Sequence, residues 1–373
     1  MPPVPDPTNL YSETAADKLS PAVAGALSRV YVPDRITGAV FVIDPATFEV
    51  VDRYRVGINP QHVVPSWDLR TLWVANNAEG RPHGSLTPID PVTGKPGRPV
   101  VVDDPYNLYF TPDGRSAIVV AEAKKRLDFR DPRSMALQWS LDTPGCPGIN
   151  HGDFSIDGRY ALFTCEYDGR LVKIDLIERQ VLGYLQVIKP GAPTEVVKGP
   201  DGKDQTICTS WKGMPQDIRV SPDGKLFFVA DMMAGGVHVV DGDEFRQIDF
   251  IPTGVGAHGL YPSRDGTKLY IANRGSNKVN GPPHGEGSVS VMDFATRRIE
   301  ATWPIPGGGS PDMGNVSADG RYLWLSGRFD GAVYAFDTLS GDVKTIRVGK
   351  EPHGLTVWPQ PGRYSLGHTG NLR

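Results

Sequence analysis

The amino-acid sequence predicts an all-β fold, a seven-bladed β-propeller with four-stranded blades. Three observations predict it. A unit of roughly 45 residues, the period of propeller blades, recurs seven times. The strands are short and bounded by turn residues, and almost no segment has helical periodicity. The 373-residue chain also contains 43 glycines and 34 prolines, which suits a protein built from many strands and turns.

Each unit begins with an inner strand that ends in a turn. The seven segments are PQHVVPSWD, PYNLYFTPDG, INHGDFSIDG, PQDIRVSPDG, GAHGLYPSRDG, SPDMGNVSADG and EPHGLTVWPQPG. Five carry Asp-Gly at the turn, a dipeptide that accepts positive φ at little steric cost. A second strand such as YLWLSGR follows, then a third such as GSVSVMD and a fourth such as VLGYLQV. Four short strands per unit are typical of a propeller blade.

The two ends of the chain are predicted to share one blade. The segments SRVYVPD, AVFVID and VVDRYRV supply its second to fourth strands, and PHGLTVWP supplies its inner strand. This pairing would close the ring and remove a free sheet edge. The tail RYSLGHTGNLR also aligns with a second strand, so it packs elsewhere or adds a strand. We expect residues 1–27 to be an N-terminal extension and residues 28–373 one propeller domain, with a long top-face loop at about 187–217.

Net charge and hydropathy limit the classes of partner that the sequence predicts. A net charge of −4 and a pI near 6.1 disfavour nucleic acid. No apolar run is long enough for a transmembrane helix. No signal peptide is visible, so the protein is expected to be periplasmic or secreted if one was removed, and cytoplasmic otherwise. We expect a monomer.

The three cysteines, Cys146, Cys165 and Cys208, show no CxxC spacing and therefore indicate neither a zinc site nor a disulfide framework. A thiolate ligand or a Cys–His pair is conceivable, since Cys146 precedes His151 by five residues and Cys165 lies at a strand end. A buried structural cysteine is the more common case.

One polar position opens the inner strand of every unit. Because these openings converge on one end of the central channel, here called the top, they form a ring. Its members are His62, Asn107, His151, Asp217, His258, Asp312 and His353, which include four of the eight histidines.

The ring positions do not align perfectly. His258, Asp312 and His353 lie seven residues before the turn position, whereas the other four lie six before it. Alternate residues of a strand face opposite sides, so the two groups can share a direction only if the strands contain a bulge.

Three roles are open for this ring. Its histidines can be structural and bond the backbone of neighbouring blades. They can instead form a metal site for copper, zinc or iron, because imidazole and carboxylate suit these ions. A single histidine can also act as a general base, as in a lyase. The metal site would draw on His62, His151, His258, His353, Asp217 and Asp312.

At VYVPD, LWVANN and LYIANR the sequence resembles the YVTN-type, YncE-like β-propellers, and the resemblance runs from about Arg29 to the end. It also resembles, more distantly, the propellers that carry haem d1. The second resemblance implies a haem-like tetrapyrrole with an axial histidine, and Lys124, Arg274 and Arg328 at second-strand ends could pair its carboxylates. No CxxCH motif for c-type haem occurs.

These observations lead to one function hypothesis and one alternative. The hypothesis is a propeller that binds a metal or small cofactor at the His/Asp-lined top mouth; as an enzyme it would be a metal-dependent oxidoreductase rather than a lyase. The alternative is a non-catalytic recognition or scaffold propeller that binds a protein, peptide or glycan through its top loops.

Overall fold

In the computed structural model, seven antiparallel sheets surround a central channel. The structure describes residues 1–199, 202, 204–368 and 370–373. The predicted fold, an all-β propeller with seven four-stranded blades, is confirmed. Blades are numbered here from the one that contains the N-terminal strands.

The strands of each blade run from the channel outwards. The inner strands of blades 1 to 7 are Thr356–Trp358, Pro60–Pro65, Pro105–Phe110, Ile149–Phe154, Pro215–Val220, Ala257–Pro262 and Pro311–Val316. The second strands are Arg29–Asp34, Leu72–Asn76, Ala117–Ala121, Tyr160–Cys165, Leu226–Asp231, Lys268–Asn273 and Tyr322–Gly327. The third strands are Ala39–Asp44, Gly84–Asp90, Arg126–Arg130, Arg170–Asp175, Gly236–Asp241, Ser288–Asp293 and Ala332–Asp337. The outer strands are Glu49–Arg55, the two pieces Lys95–Pro96 and Val100–Val102, then Leu137–Asp142, Gln180–Gln186, Arg246–Pro252, Ile299–Pro304 and Val343–Arg347.

Burial falls from the inner strands to the outer ones. Leu72–Asn76 is buried throughout, whereas Ile299–Pro304 alternates between half-buried and exposed residues. The second strands are therefore nearly continuous apolar runs, because both of their faces pack against neighbouring blades, and the outer strands keep one face in water. The predicted closure of the ring is also confirmed, since Arg29 pairs with Trp358 and Tyr31 with Thr356.

The N-terminal segment crosses the bottom face of the propeller, where the Asp-Gly turns lie. It contains two 3-10 turns, Ser12–Thr14 and Pro21–Val23. The Tyr11 hydroxyl donates to the Val220 carbonyl at 2.6 Å, and the Asp17 N–H donates to the Ala318 carbonyl at 3.0 Å. The segment thus spans blades 5 to 7 across the bottom end of the channel.

The connection between blades 4 and 5 contains a two-stranded hairpin, Glu195–Lys198 with Asp204–Ile207. The sequence pattern had given this region no strands. Residues 200, 201 and 203 of the predicted top-face loop lie outside the described residues. A third 3-10 turn is Glu166–Asp168, and no helix in the described part of the chain is long and apolar enough to cross a membrane.

The spacing of the cysteines gave no sign of a disulfide, and the hypothesis of a thiolate ligand or a Cys–His pair at Cys146 or Cys165 is wrong. These cysteines form a disulfide that ties the start of blade 4 to its second strand, with Cα atoms 4.8 Å apart. Only Cys208, which is buried, has a free thiol. The spacing of the pair carries no motif, because the bond links two segments that become neighbours only when the blade folds.

We expect the double substitution Cys146→Ser and Cys165→Ser to lower the free energy of unfolding by about 3 kcal/mol, the value for closing a loop of this length. The sequence separation is 19 residues. Guanidinium denaturation with and without reductant measures the loss. Cys208→Ser is the matched control and should leave the denaturation midpoint and its decrease on adding reductant as in the parent protein. An unchanged midpoint in the double variant would contradict the prediction.

Candidate functional site

The seven ring positions all point into the top of the central channel. The His62 ring lies 4.8 Å from that of His353 and 5.6 Å from that of His151, measured between centroids. His151 lies 6.4 Å from His258 in the same way. Histidines from both alignment groups therefore face one another.

Bulges explain how the two groups share one direction. The pairing of inner and second strands shifts register beside the ring position in blades 2 to 7, for example between Pro60 and His62 and between Ala257 and Leu260. An extra residue at the opening of each strand re-aims the side chain. The bulges that the sequence alignment required are therefore present in these blades.

The C-terminal tail adds a histidine from outside the repeat. Its strand Ser365–Gly367 pairs with the channel edge of the blade 3 inner strand, through Gly367 and Tyr109. Of the two placements considered for the tail, packing elsewhere is the one observed, because Arg29–Asp34 already fills the second-strand slot of blade 1. His368 consequently lies inside the channel, 4.7 Å from the His151 ring and 5.2 Å from the His62 ring.

His62, His151 and His368 form a compact cluster, called here the three-histidine cluster. Each offers a ring nitrogen, and these nitrogens lie within 4.8 Å of one another. All three side chains have no solvent exposure. The amide nitrogen of Asn107 lies 3.0 Å from Nδ1 of His368 and 3.3 Å from Nδ1 of His151, so it bridges two members.

His62 is the unusual member of this cluster. Neither of its ring nitrogens has a hydrogen-bond partner among the described residues, although the side chain is fully buried. Leaving a buried polar group unpaired costs about 1–3 kcal/mol. Gly354 lies against this ring and a side chain there would collide with Nδ1, so the backbone is shaped to hold the imidazole in place.

The cluster is neutral in the folded protein. Burial lowers the pKa of His62, His151 and His368 well below the ordinary value for histidine, and repulsion among the three rings adds to the effect on His62 and His151. Unprotonated imidazole is the form that binds metal ions.

Three other ring members, His258, Asp312 and His353, form a second group around the Asp312 carboxylate. The carboxylate oxygens lie 2.9 Å from Nδ1 of His258 and 3.4 Å from Nε2 of His353. Arg274 and Arg328 approach the same carboxylate at 3.5 and 3.9 Å. Burial alone would raise the pKa of Asp312, yet its neighbours His258 and Arg274 hold that pKa well below the ordinary range. Asp312 therefore serves as the buried counter-charge of two guanidinium groups.

Two ring members have structural contacts. The Asp217 carboxylate accepts the N–H groups of Ile218 and Leu260, both at 2.9 Å, and so ties blade 5 to blade 6. It also lies 3.4 Å from Nε2 of His368. Nδ1 of His353 lies 3.1 Å from the Gln61 carbonyl of the neighbouring blade, the contact that the structural interpretation predicted for such histidines.

A cavity of about 400 Å³ opens above the ring at the top of the channel. Tyr106 lines it, and the same ring lies 5.4 Å from the His62 ring, so the cavity adjoins the three-histidine cluster. The predicted cofactor-binding residues Lys124, Arg274 and Arg328 all line this cavity, and so does His258. Lys124 is paired with Asp103 at 2.7 Å.

Most of the blades contribute the same position to the cavity wall, the residue directly after the second strand. These residues are Arg35, Asn77, Glu122, Glu166, Met232, Arg274 and Arg328. All but Met232 line the cavity, and the sulfur of Met232 lies 3.3 Å from Nη1 of Arg274. Of these residues, Arg274 and Arg328 were predicted as cofactor-binding groups and Glu122 and Glu166 were not, although the repeat alignment shows that all four occupy the same position.

Comparison with known proteins bears on the fold. The sequence model of the YNCE-like beta-propeller family matches residues 201–361. The resemblance to YncE-like propellers is confirmed. YncE of Salmonella typhi is 23% identical over 312 residues, which cover 78% of this chain and 74% of that protein. The likeness thus extends well beyond the segment that the family model matches.

Two solved structures share the architecture. Hydrazine synthase of Kuenenia stuttgartiensis is 17% identical with a TM-score of 0.59, covering 88% of this chain and 94% of that one. The dihydro-haem d1 dehydrogenase NirN, solved in complex with DHE, is 17% identical with a TM-score of 0.57, covering 88% and 75%. The distant resemblance to haem d1 propellers is confirmed as a likeness of fold, and identities this low extend no further than fold.

Proposed function

We propose that this propeller binds a transition-metal ion at the three-histidine cluster. The observation that carries the proposal is His62, whose two nitrogens are buried without hydrogen-bond partners beside His151 and His368 in the described structure. An ion bound at one of these two nitrogens would give the buried imidazole a partner and offset part of its desolvation. Three neutral imidazoles suit zinc, copper, iron or nickel. With copper or iron, the centre would support a metal-dependent oxidoreductase whose substrate occupies the cavity above.

The ligand set in this proposal differs from the full ring. Asp312 neutralises two arginines, and Asp217 bonds two backbone N–H groups, so we assign neither to the ion. His258 and His353 contact Asp312. His368 takes the third place, with the Asp217 carboxylate beside its other ring nitrogen, an arrangement that orients histidine ligands in metal sites.

A tetrapyrrole fits the cavity less well than a metal fits the cluster. NirN is a dihydro-haem d1 dehydrogenase, and Arg274, Arg328 and Lys124 would suit the carboxylates of such a macrocycle here. However, Glu122 and Glu166 face the same cavity, so a macrocycle bearing several carboxylates would meet like charge. We therefore do not include a tetrapyrrole in the proposed function. The Cys146–Cys165 disulfide supports an oxidising compartment as the site of action.

Metal content tests the proposal. Protein expressed with zinc or copper supplements, then dialysed, should retain one ion per chain by elemental analysis. His62→Ala and His368→Ala should each weaken binding by more than about 100-fold, since even second-shell losses cost 10–100-fold. His83→Ala and His284→Ala are the matched controls, because these histidines are exposed at the rim. Protein that retains none of these ions, or variants that bind as the parent does, would overturn the proposal.

A further inference from the structure

The top cavity is divided into an acidic half and a basic half. The positions after the second strands carry Glu122 in blade 3 and Glu166 in blade 4. Across the channel, blades 6, 7 and 1 carry Arg274, Arg328 and Arg35 at the same positions. Because consecutive blades are neighbours in the ring, the two signs are collected on opposite sides.

The basic half has unused donors. Arg274 and Arg328 are 2% and 7% exposed, and both stack on Phe329, with guanidinium carbons 4.8 and 5.8 Å from the ring centroid. Nε of Arg274 makes no hydrogen bond within the described structure, and its Nη1 faces only the sulfur of Met232, a weak acceptor. Burial lowers the pKa of Arg274 to about 10, which leaves it charged at neutral pH.

The positive charge on this side exceeds its buried counter-charge. Arg274 and Arg328 share Asp312, and Arg328 shares Glu351 with Arg35. Three guanidinium groups thus divide two carboxylates, and the further partner of Arg35, Glu79, is 71% exposed. A ligand anion would complete the balance, and guanidinium groups bind carboxylates through paired hydrogen bonds.

The two glutamates of the acidic half have no ion-pair partner among the described residues, because Lys124 on the same side is paired with Asp103. The Glu166 carboxylate accepts hydrogen bonds from neutral amides only, those of Asn150, at 3.1 Å, and Gln216. Burial raises the pKa of both carboxyl groups, and for Glu122 the charge of Glu166 raises it further. Tyr106 and Tyr167 line the cavity beside them and offer aromatic faces of the kind that bind cations.

We propose that the cavity binds a small zwitterion, with its anionic group against Arg274 and Arg328 and its amine against Glu122 and Glu166. A volume of about 400 Å³ suits a small molecule. A dianion would place one charge against the glutamates, and a dication would place one against the arginines. This inference goes beyond the proposed metal site and does not depend on it, because none of these four residues belongs to the three-histidine cluster.

Linear ω-amino acids of about three to six carbons are the probes, compared with dicarboxylates and diamines of the same length. Calorimetric titration of the metal-free protein should show at least one amino acid binding about ten-fold or more tightly than both matched analogues, as expected for two charge-assisted contacts. The same preference should persist in His62→Ala, so failure of the metal site and failure of this proposal are distinguishable.

Two variants test the two halves separately. Glu122→Gln removes the negative charge and keeps the shape, so it should weaken the amino acid about ten-fold or more and spare the monocarboxylate of the same length. Arg274→Gln should weaken both. Lys225→Gln is the control and should leave binding unchanged, because that lysine is exposed at the Asp-Gly turn of blade 5 and does not line the cavity. A dicarboxylate or diamine that binds as tightly as the amino acid, or binding by none of the probes, would overturn the proposal.

Discussion

Deletion of residues 363–373 is expected to lower the free energy of unfolding by about 3–5 kcal/mol, the loss typical of an uncompensated buried charge. Arg373 and Asp153, 4% and 0% exposed, pair at 2.8 Å within the channel. Without the tail, Asp153 stays buried and loses its cation, and the space occupied by Tyr364, Leu366 and Leu372 is left unfilled. Metal uptake should disappear with the deletion, since His368 is removed. Chemical denaturation and elemental analysis measure the two effects.

Two single substitutions separate these effects. Arg373→Met breaks only the ion pair, so it should reproduce most of the stability loss and keep the ion. Adding Asp153→Asn should restore much of that loss, because the charge left behind is then absent. His368→Ala should lose the ion and retain most of the stability. A deletion variant as stable as the parent would show that the tail merely occupies the channel.

Substitution Asp312→Ala is expected to lower the free energy of unfolding by about 3–5 kcal/mol, because it leaves two buried guanidinium groups without their shared carboxylate. Arg274 and Arg328 are the groups concerned, and no other buried carboxylate lies within 4.0 Å of Arg274 in the described residues. Guanidinium denaturation measures the loss. A loss below about 1 kcal/mol, the value of an exposed pair, would contradict the assignment.

The same position distinguishes a counter-ion from a metal ligand. Asp312→Asn keeps the side-chain shape and removes the charge. If Asp312 only neutralises the arginines, the metal content of Asp312→Asn should equal that of the parent, whereas a ligand role would lower it together with His62→Ala. Arg274→Met in the Asp312→Ala background should recover part of the stability, since it removes the cation left without a carboxylate, whereas Arg328 keeps Glu351.

The fold could be predicted because its signals repeat. Asp-Gly turns and alternating strands recur along the chain, and the closing pair of Arg29–Asp34 with Thr356–Trp358 follows from counting strands. The ring of polar residues at the inner-strand openings could be predicted for the same reason, because its members recur once in each unit. Even the bulge was implied, because the two alignment groups could not otherwise face one direction.

What escaped prediction lies outside the repeat or depends on neighbours in space. His368 belongs to a tail whose sequence resembles a second strand. The second-strand position of blade 1 is already filled by Arg29–Asp34, so the tail packs inside the channel instead. The Cys146–Cys165 bond joins segments that the blade brings together. The role of Asp312 could not be predicted either, because its arginine partners follow strands and lie 38 and 16 residues away in sequence. They meet Asp312 only when blades 6 and 7 pack together.

The residues that follow the second strands have a consequence for ligand orientation. From blade 1 to blade 7 these residues are Arg, Asn, Glu, Glu, Met, Arg and Arg, one for each blade. All seven positions follow a second strand at the top end of the channel, but Arg274 and Arg328 also neutralise Asp312, so exchanging them has to include Asp312→Asn. Moving the two glutamates to blades 6 and 7, and arginines to blades 3 and 4, would turn the dipole of the cavity around. The order of charges at these seven positions around the ring therefore sets the direction in which the proposed zwitterion lies.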